Sequence, residues 1–459
     1  MAPFRILISG AGIAGPAVAL LLARHRDCAI TIIERAASLR STGQQIDLRN
    51  QGVPIMQKLG LEEAVRARIV KEEGTRIINR AGAELAFIPA LQTGSGKQSL
   101  SSEFEIMRGD LVDVLYQATK DLDNVKYVFG RTIESLIEGG DGPIGVGLSD
   151  GTTHEYDLVI GADGVGSRTR KLMLAGGEEQ DKQVRQATGV QLAFFTIPVE
   201  KDDSRAFTIC RSTKGRHLMT RRDRDDVLRV LFMAHVGQAA SGGKGDSEDD
   251  RLRAQLHAAN RSGDLEQKKK AWAAYYADAG WQAERFTHAL LHSKEADDLY
   301  AQELQRVVLP PGAWSGRNGR VTVVGDAACC VALNRGLGTT VSFVTAYTLA
   351  GELARHCIPL KGSGAGAKQQ PTRENLEHAL AEYERKTRVL TDPVQKGMPG
   401  WVRSIFMPET ETGLRFTEIL IRWLVPVGRW LFSWMPEDKP EDIAKQYAWH
   451  DYPELEGKD

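Results

Sequence analysis

The chain has 459 residues, 42% of them hydrophobic, enough to bury a large core and to form more than one domain. Its 59 Lys and Arg nearly balance 60 Asp and Glu, so no global field favours nucleic acid or an anionic membrane, and small-molecule chemistry is the expectation. Five Cys, an odd number without a CxxC pair, suit a reducing, cytoplasmic compartment and supply no zinc site.

The run from Phe4 to Ser9 predicts a buried parallel strand, and Gly10-Ala11-Gly12-Ile13-Ala14-Gly15 follows it directly. Ile13, Ala17, Leu20, Leu21 and Arg24 then recur at helical spacing, and Ala29 to Ile33 predicts a second strand that closes at Glu34-Arg35. Each position of such a βαβ unit has a physical job: Gly10 makes the tight turn, Gly12 lets backbone touch a pyrophosphate, and Gly15 lets helix and strand pack closely. The helix N-terminus, with Ile13 and Ala14, faces the anion, and Glu34 accepts hydrogen bonds from an adenosine ribose. An acid at that position argues for an unphosphorylated ribose, hence FAD or NAD. Ile6 to Ala23 carries no charge and approaches the length of a membrane span or signal sequence, but three Gly and a Pro interrupt it at the spacing of a phosphate loop.

Further along, Arg40 to Asn50 is polar and turn-rich, and it leaves the second strand on the side where a cofactor lies. Gln45, Asp47 and Arg49 either face that cofactor or are simply solvated. Val53 to Ile69 predicts an amphipathic helix broken at Gly60, and Thr75 to Ala90 predicts short strands turning at Ala81-Gly82-Ala83, before a polar loop from Thr93 to Ser102. A strand-like stretch from Glu103 leads into a helix ending near Thr119. Arg108, just before that helix, is either a surface cation or a planar fork of donors for phosphate or ribityl oxygens. Val125 to Asp157 reads as a small antiparallel meander, and Leu158 to Gly161 as a buried strand running into Ala162-Asp163-Gly164.

Thr188 to Ala234 is β-rich, with Val190 to Ile197 and Val227 to Met233 its clearest strands, and forms a candidate sheet domain over the cofactor. Arg251 to Ala277 reads as charged helix, with Lys268, Lys269 and Lys270 on a solvated face. Arg320 to Val324 returns to the buried-strand pattern and ends in Gly325-Asp326, where a carboxylate meets sugar-like hydroxyls. Gly336, Gly338 and Thr339 then open a helix from about Val341 to Arg355, so backbone approaches a flat ligand and the helix dipole favours negative charge there. Vicinal Cys329 and Cys330 are either a redox-active pair or, as is commoner, buried packing thiols. The last helices, rich in aromatics from Phe416 to Trp434, are expected to pack on the body, because Arg422, Pro426 and Arg429 interrupt them too often for a membrane span.

Taken together, three fingerprints in this order resemble the single-component flavoprotein aromatic hydroxylases, or group A flavin monooxygenases, and within them the tetracycline-inactivating branch. They are Gly10-Ala11-Gly12-Ile13-Ala14-Gly15 with Glu34, Gly161-Ala162-Asp163-Gly164, and Gly325-Asp326-Ala327-Ala328 with Gly336 and Gly338. The resemblance implies an α/β fold in which a Rossmann-like FAD-binding domain of the GR2 type is interleaved with a β-sheet substrate domain and followed by C-terminal helices. FAD-binding parts are expected at 1–75, 103–176 and 309–372, substrate-domain parts at 76–102 and 177–308, and the helical segment at 373–459.

By the same resemblance FAD is non-covalent. Glu34, with Arg35 beside it, serves the adenosine ribose, Arg108 the ribityl-phosphate region and Asp326 the ribityl chain. Gln45 and Asp47 lie near the flavin, Asp163 and Gly164 serve FAD and transient NAD(P)H, NADPH being favoured, and Gln191 faces the substrate. The family's usual His and Pro after Gly-Asp-Ala-Ala are replaced by Cys329 and Ala332. The implied reaction reduces FAD, adds O2 to give a C4a-hydroperoxide, and hydroxylates an aromatic, polycyclic or enolisable small molecule, with epoxidation, Baeyer–Villiger insertion or plain FAD dehydrogenation as alternatives. No catalytic side chain is assigned. A halogenase lacks its Trp-x-Trp-x-Ile-Pro segment here, and a plain NAD dehydrogenase leaves Gly325-Asp326 unexplained.

Overall fold

A computed structural model of the chain describes residues 3–25, 27–39, 45–70, 73–90, 104–140, 142–222, 224–237, 247–331, 336–358, 371–395, 399–432 and 450–456. The apolar run forms β1 (Phe4–Ser9), followed by α1 (Ala14–Leu22) and β2 (Cys28–Glu34). All of α1 except Leu20 is buried, which explains its lack of charge: the helix is core on every side. No helix among the described residues is long and apolar enough to cross a membrane.

Next come β3 (Gln45–Leu48), α2 (Gly52–Lys58) and α3 (Glu62–Arg66), the last two separated at Gly60 as the sequence predicts. β4 (Gly74–Ile78) and β5 (Glu84–Pro89) form the expected hairpin, and β6 (Phe104–Met107) runs into α4 (Arg108–Gln117), so Arg108 is the first residue of its helix. The polar loop at 93–102 lies outside the described residues. Of the predicted meander, β7 (Val125–Phe129) instead joins β2 in parallel, and only β8 (Ile133–Ile137), β9 (Ile144–Leu148) and β10 (Thr153–Tyr156) make a small antiparallel sheet.

β11 (Leu158–Gly161) leads through α5 (Arg168–Met173) and α6 (Gly177–Val184) to β12 (Arg185–Pro198), β13 (Phe207–Ser212), β14 (Arg216–Arg221) and β15 (Val227–His235). The charged stretch after them is two helices, α7 (Glu248–Arg261) and α8 (Leu265–Tyr276), and α9 (Ala283–His292) follows. Lys269 corrects the expectation of a solvated triplet: it is 2% exposed and pairs with Asp297 at 2.6 Å. The chain continues with β16 (Tyr300–Val308), β17 (Ser315–Gly316), β18 (Val321–Val323), β19 (Cys329–Cys330), α10 (Gly338–Cys357), α11 (Arg373–Gln395), α12 (Gly400–Phe406) and α13 (Glu411–Phe432). Among the described side chains of α13 only Leu414 and Thr417 are fully buried, whereas Phe416, Ile419, Trp423 and Leu424 are exposed, so this part of the helix packs by one edge.

Two sheets organise these elements. The first has the order β17-β18-β11-β1-β2-β7, with β18 to β7 parallel, and α1 lies between it and α10. The second has the order β19-β16-β12-β15-β14-β13-β4-β5, and a ribbon of β3 and β6 stands between the two. The larger sheet has unlike faces. Phe195, Phe232, Leu218, Val230 and Ala234 pack against Trp272, Tyr276, Phe286 and their helices α7 to α9 and are at most 2% exposed. On the opposite face Phe194, Ile209, Leu231 and Met233 remain partly accessible although their strands are central, so this face is the candidate wall of a chamber.

Candidate active site

Three loops at the carboxyl ends of the parallel strands converge. Gly10 leaves β1 at φ +115°, and a Cβ on it would stand 2.4 Å from the Ala162 carbonyl oxygen, so the second fingerprint lies directly behind the first. Gly15 is as tight, its Cβ 2.2 Å from Gly10 O. Gly12 differs: a Cβ there would meet only Arg108 Nη2, at 3.8 Å. Its backbone borders open space beside a cation, where Ile13 and Ala14 begin a helix with no acid in its first turn, and that combination is an anion cradle.

Glu34 uses both oxygens on backbone, Oε2 accepting the Ala11 N–H at 3.1 Å and Oε1 the Ala36 N–H at 3.0 Å. The carboxylate is thereby fixed beside the glycine loop, while Arg35 is exposed. Gly325, at φ +62°, backs onto Ala14, where a Cβ would stand 2.9 Å from the alanine's own, and donates its N–H to Thr345 Oγ1 of α10 at 3.0 Å. This holds Asp326 near Arg108. Burial raises the Asp326 carboxyl above its usual range, and the Arg108 guanidinium opposes that rise.

At the N-terminus of α10, Gly336 (φ +60°) backs onto Asp47, its Cβ 3.0 Å from Oδ2, and Gly338 has nothing within 4 Å of its Cβ position. Thr339 is buried behind it. The Thr340 hydroxyl accepts the Arg49 N–H at 3.2 Å and donates to Arg49 O at 2.8 Å, clamping the loop after β3 to the helix start. Across the β3–β6 ribbon Asp47 stands opposite Glu105, which accepts Gln45 Nε2–H at 2.5 Å, and Asp47 pairs with Arg49 at 3.0 Å. Burial, then the charge of Glu105, pushes the Asp47 carboxyl up to about 6, with Arg49 and Arg221 opposing. Gln45 Oε1 is buried without a hydrogen-bond partner among the described residues.

The second fingerprint is arranged differently from the sequence expectation. The Asp163 carboxylate accepts Ser167 Oγ–H at 2.5 Å and both the N–H and O–H of Thr169 at 3.0 Å, so it shapes the turn into α5, and Gly164 (φ +80°) is left as open backbone. Arg170, which sequence reasoning passed over, is fully buried: it donates to Val165 O at 2.6 Å and Ala327 O at 2.8 Å and pairs with Asp181. It therefore ties the second fingerprint to the third. A charge spaced one helical turn from a capping Ser was the available signal. Glu105, also missed, was legible as a lone charge between Phe104 and Ile106 in an apolar strand.

Gln191 lies on the helix-covered face of the large sheet, fully buried, with Oε1 accepting Asn260 Nδ2–H of α7 at 2.6 Å. The register sets this: Ala193 opposite Phe232 faces α8, and Gln191 two residues earlier shares that face, away from the chamber. Cys329 is also turned into the core, its thiol pushed up to about 12 by burial, and Ala332 lies outside the described residues. All five cysteines are buried and free.

A glycine loop opening beside a cation, a carboxylate fixed next to it and a helix N-terminus beside an open glycine, at the carboxyl ends of a parallel sheet, are the arrangement of a dinucleotide-binding fold. A family model described as "FAD binding domain" matches residues 4–289. The chain is 37% identical over 456 residues to "Flavin-dependent monooxygenase eupH" of a Phoma species, covering 98% of both, and 36% identical over 462 residues to "FAD-dependent monooxygenase asL4" of Sarocladium schorii, covering 99% of both. It belongs to this family of FAD-dependent monooxygenases. Among solved structures, tetracycline destructase Tet(51) is similar in fold at TM-score 0.64 and 23% identity, over 92% of this chain and 98% of that one. Klebsiella pneumoniae HpxO, complexed with FAD and uric acid, is similar at TM-score 0.61 and 17% identity, over 99% and 97%.

Proposed function

We propose that this FAD-dependent monooxygenase uses NAD(P)H and O2 to place one oxygen atom in an aromatic, polycyclic or enolisable small molecule held in the chamber between its two sheets. The observation that carries the reading is the open Gly12 backbone beside Arg108, with Asp326 and Glu34 fixed around it, leading toward the Gly336–Gly338 helix start. Bound FAD supplies the electron transfer and oxygen transfer. In this assignment Gly12 and the start of α1 take the pyrophosphate, Glu34 the adenosine ribose, and Asp326 and Arg108 the ribityl and phosphate oxygens. Gln45, Asp47, Gly338 and Thr339 border the ring system, where the α10 dipole stabilises negative charge. Asp163 acts through the backbone of its loop, leaving Gly164 to face the nucleotide.

The chamber wall of Phe194, Ile209, Met219, Leu231 and Met233 excludes water from the reacting end and gives an apolar substrate a surface to lie on. Buried, unpaired cysteines fit a cytoplasmic setting. The test is isotopic: with NAD(P)H and a substrate that accelerates its oxidation, the product gains one atom of label from 18O2. Label from water, or equal turnover without oxygen, would replace this reading by an FAD dehydrogenase.

A further inference from the structure

Among the described residues nine large apolar side chains are exposed, and six of them fall on α12 and α13: Trp401, Phe406, Phe416, Ile419, Trp423 and Leu424. The two tryptophans are the most open of all, at 69% and 71%. Phe416, Ile419, Trp423 and Leu424 stand at i, i+3, i+7 and i+8, so they share one side of α13, while Leu414 and Thr417 are buried on the side that lies against β5. Scattered apolar residues on a surface are ordinary, but a concentration of this kind marks a contact.

The outward direction of this face is fixed by the chain between the two helices, which is tied to the edge of the large sheet. Ile405 O accepts from Arg211 Nη1 at 3.2 Å and Phe406 O from His217 Nε2 at 2.7 Å. Pro408 O and Glu409 O accept the N–H groups of Gly215 and Lys214 at 3.0 and 2.9 Å. At the start of α13, Glu411 takes Arg80 at 3.1 Å. The helices therefore hang from the body by their inner edge.

Charge is sorted in the same way. The acids are turned inward: Glu409 lies against His235 at 3.5 Å, Glu411 holds Arg80, and half-buried Glu418 offsets the charge of Arg211. The cations stay outside. Arg403 is exposed on α12, and on α13 Arg415 and Arg422, seven residues apart, run along one flank of the apolar stripe, Arg415 reaching Glu411 only at 3.7 Å. The other flank, with Leu420 and Leu424, carries no acid, so a second copy seated on the stripe would offer these arginines no partner there. An anionic lipid surface offers both halves of the match, headgroups for the arginines and an acyl boundary for Phe, Ile, Leu and the amphipathic Trp rings. The nearly balanced charge of the whole chain gives no such preference; this local arrangement does.

We propose that the α12–α13 face is a peripheral docking surface for an anionic lipid bilayer, with α13 lying along the headgroup plane and not crossing it. This goes beyond the monooxygenase reading and does not depend on it.

The test is sedimentation of the full, FAD-loaded chain with extruded vesicles. Vesicles of phosphatidylcholine with about 30 mol% phosphatidylserine are expected to bind at least about tenfold more strongly than phosphatidylcholine alone, and less as salt rises. Phe416→Ser combined with Trp423→Ser should weaken binding to the mixed vesicles at least about tenfold without lowering Tm, because both side chains are already exposed, and Trp423→Ser alone serves if the pair does not fold. Arg415→Gln combined with Arg422→Gln should bring the two kinds of vesicle within about threefold of each other. No sedimentation at about 1 mM lipid, equal binding to both compositions, or unchanged binding by the serine variant would overturn the proposal. So would a dimer, seen by light scattering without lipid, that the serine variant converts to monomer, since the face would then belong to a second copy.

Discussion

Replacing Gly12 by Ala separates cofactor binding from folding. The backbone φ of Gly12 lies outside the left-handed region, and a Cβ meets only Arg108 Nη2 at 3.8 Å, an ordinary contact with the end of a flexible side chain. The apoprotein therefore tolerates the methyl, and its stability should change by less than about 1 kcal/mol, in either direction. The pyrophosphate does not tolerate it. A methyl holds the phosphate off the backbone and forfeits one or two charge-assisted hydrogen bonds of roughly 1.5–3 kcal/mol each, so FAD affinity should fall by about 2–4 kcal/mol, roughly 30- to 1,000-fold. Urea denaturation of apoprotein measures the first quantity, and reconstitution with FAD followed by fluorescence quenching measures the second. An unchanged Kd for FAD, or an apoprotein destabilised as much as Gly10→Ala, would refute the placement of the pyrophosphate.

The neighbouring glycines should behave in the opposite way: Gly10→Ala, strained at φ +115° and driven to 2.4 Å from Ala162 O, is expected to destabilise the apoprotein by about 3 kcal/mol or more, and equal Tm values for Gly10→Ala and Gly12→Ala would contradict this. Asp326→Ala should weaken FAD by roughly 1.5–3 kcal/mol. Glu34→Gln should lower apoprotein Tm as well as FAD affinity, because both carboxylate oxygens accept backbone N–H groups and an amide must turn its NH2 toward one of them; a Tm equal to that of the unaltered protein would count against it. Asp47 binds its proton more tightly folded, at about 6, than unfolded, near 3.8, so its stabilisation is complete below pH 4 and withdrawn as pH rises through 6. Asp47→Asn should therefore gain roughly 2–3 kcal/mol of apoprotein stability relative to the unaltered protein between pH 4 and pH 8. A pH-independent difference would show that Asp47 ionises normally.

The βαβ unit was legible from residues 4–35 because its constraints are local: a run of apolar residues, three glycines at fixed spacing and an acid at the end of the next strand. The break at Gly60 and the hairpin at Gly82 were legible for the same reason, since a positive φ selects glycine wherever it occurs. That the three fingerprints meet was implied by their family order, but the contacts that join them were not. Gly10 against Ala162, Gly325 against Ala14 and Arg170 to Ala327 span up to 311 positions in sequence, and no local preference encodes them.

The faces of the large sheet were decided in three dimensions too. A period of two tells which residues share a face but not which face is covered. Helices α7 to α9 cover the Phe195 and Phe232 side, so Gln191 is buried against Asn260 while Arg211, His217 and Met219 lie on the opposite face, the first two under α12. Likewise the charge of Asp163 reads as a cofactor ligand in sequence, yet three short-range donors in the following turn claim it first. Sequence by itself determined the cofactor and the class of chemistry, because dinucleotide binding is written in backbone-permissive residues. Only tertiary structure decided which polar side chains are spent on the fold and which are left to face a ligand, because that depends on the partners brought to them by distant segments.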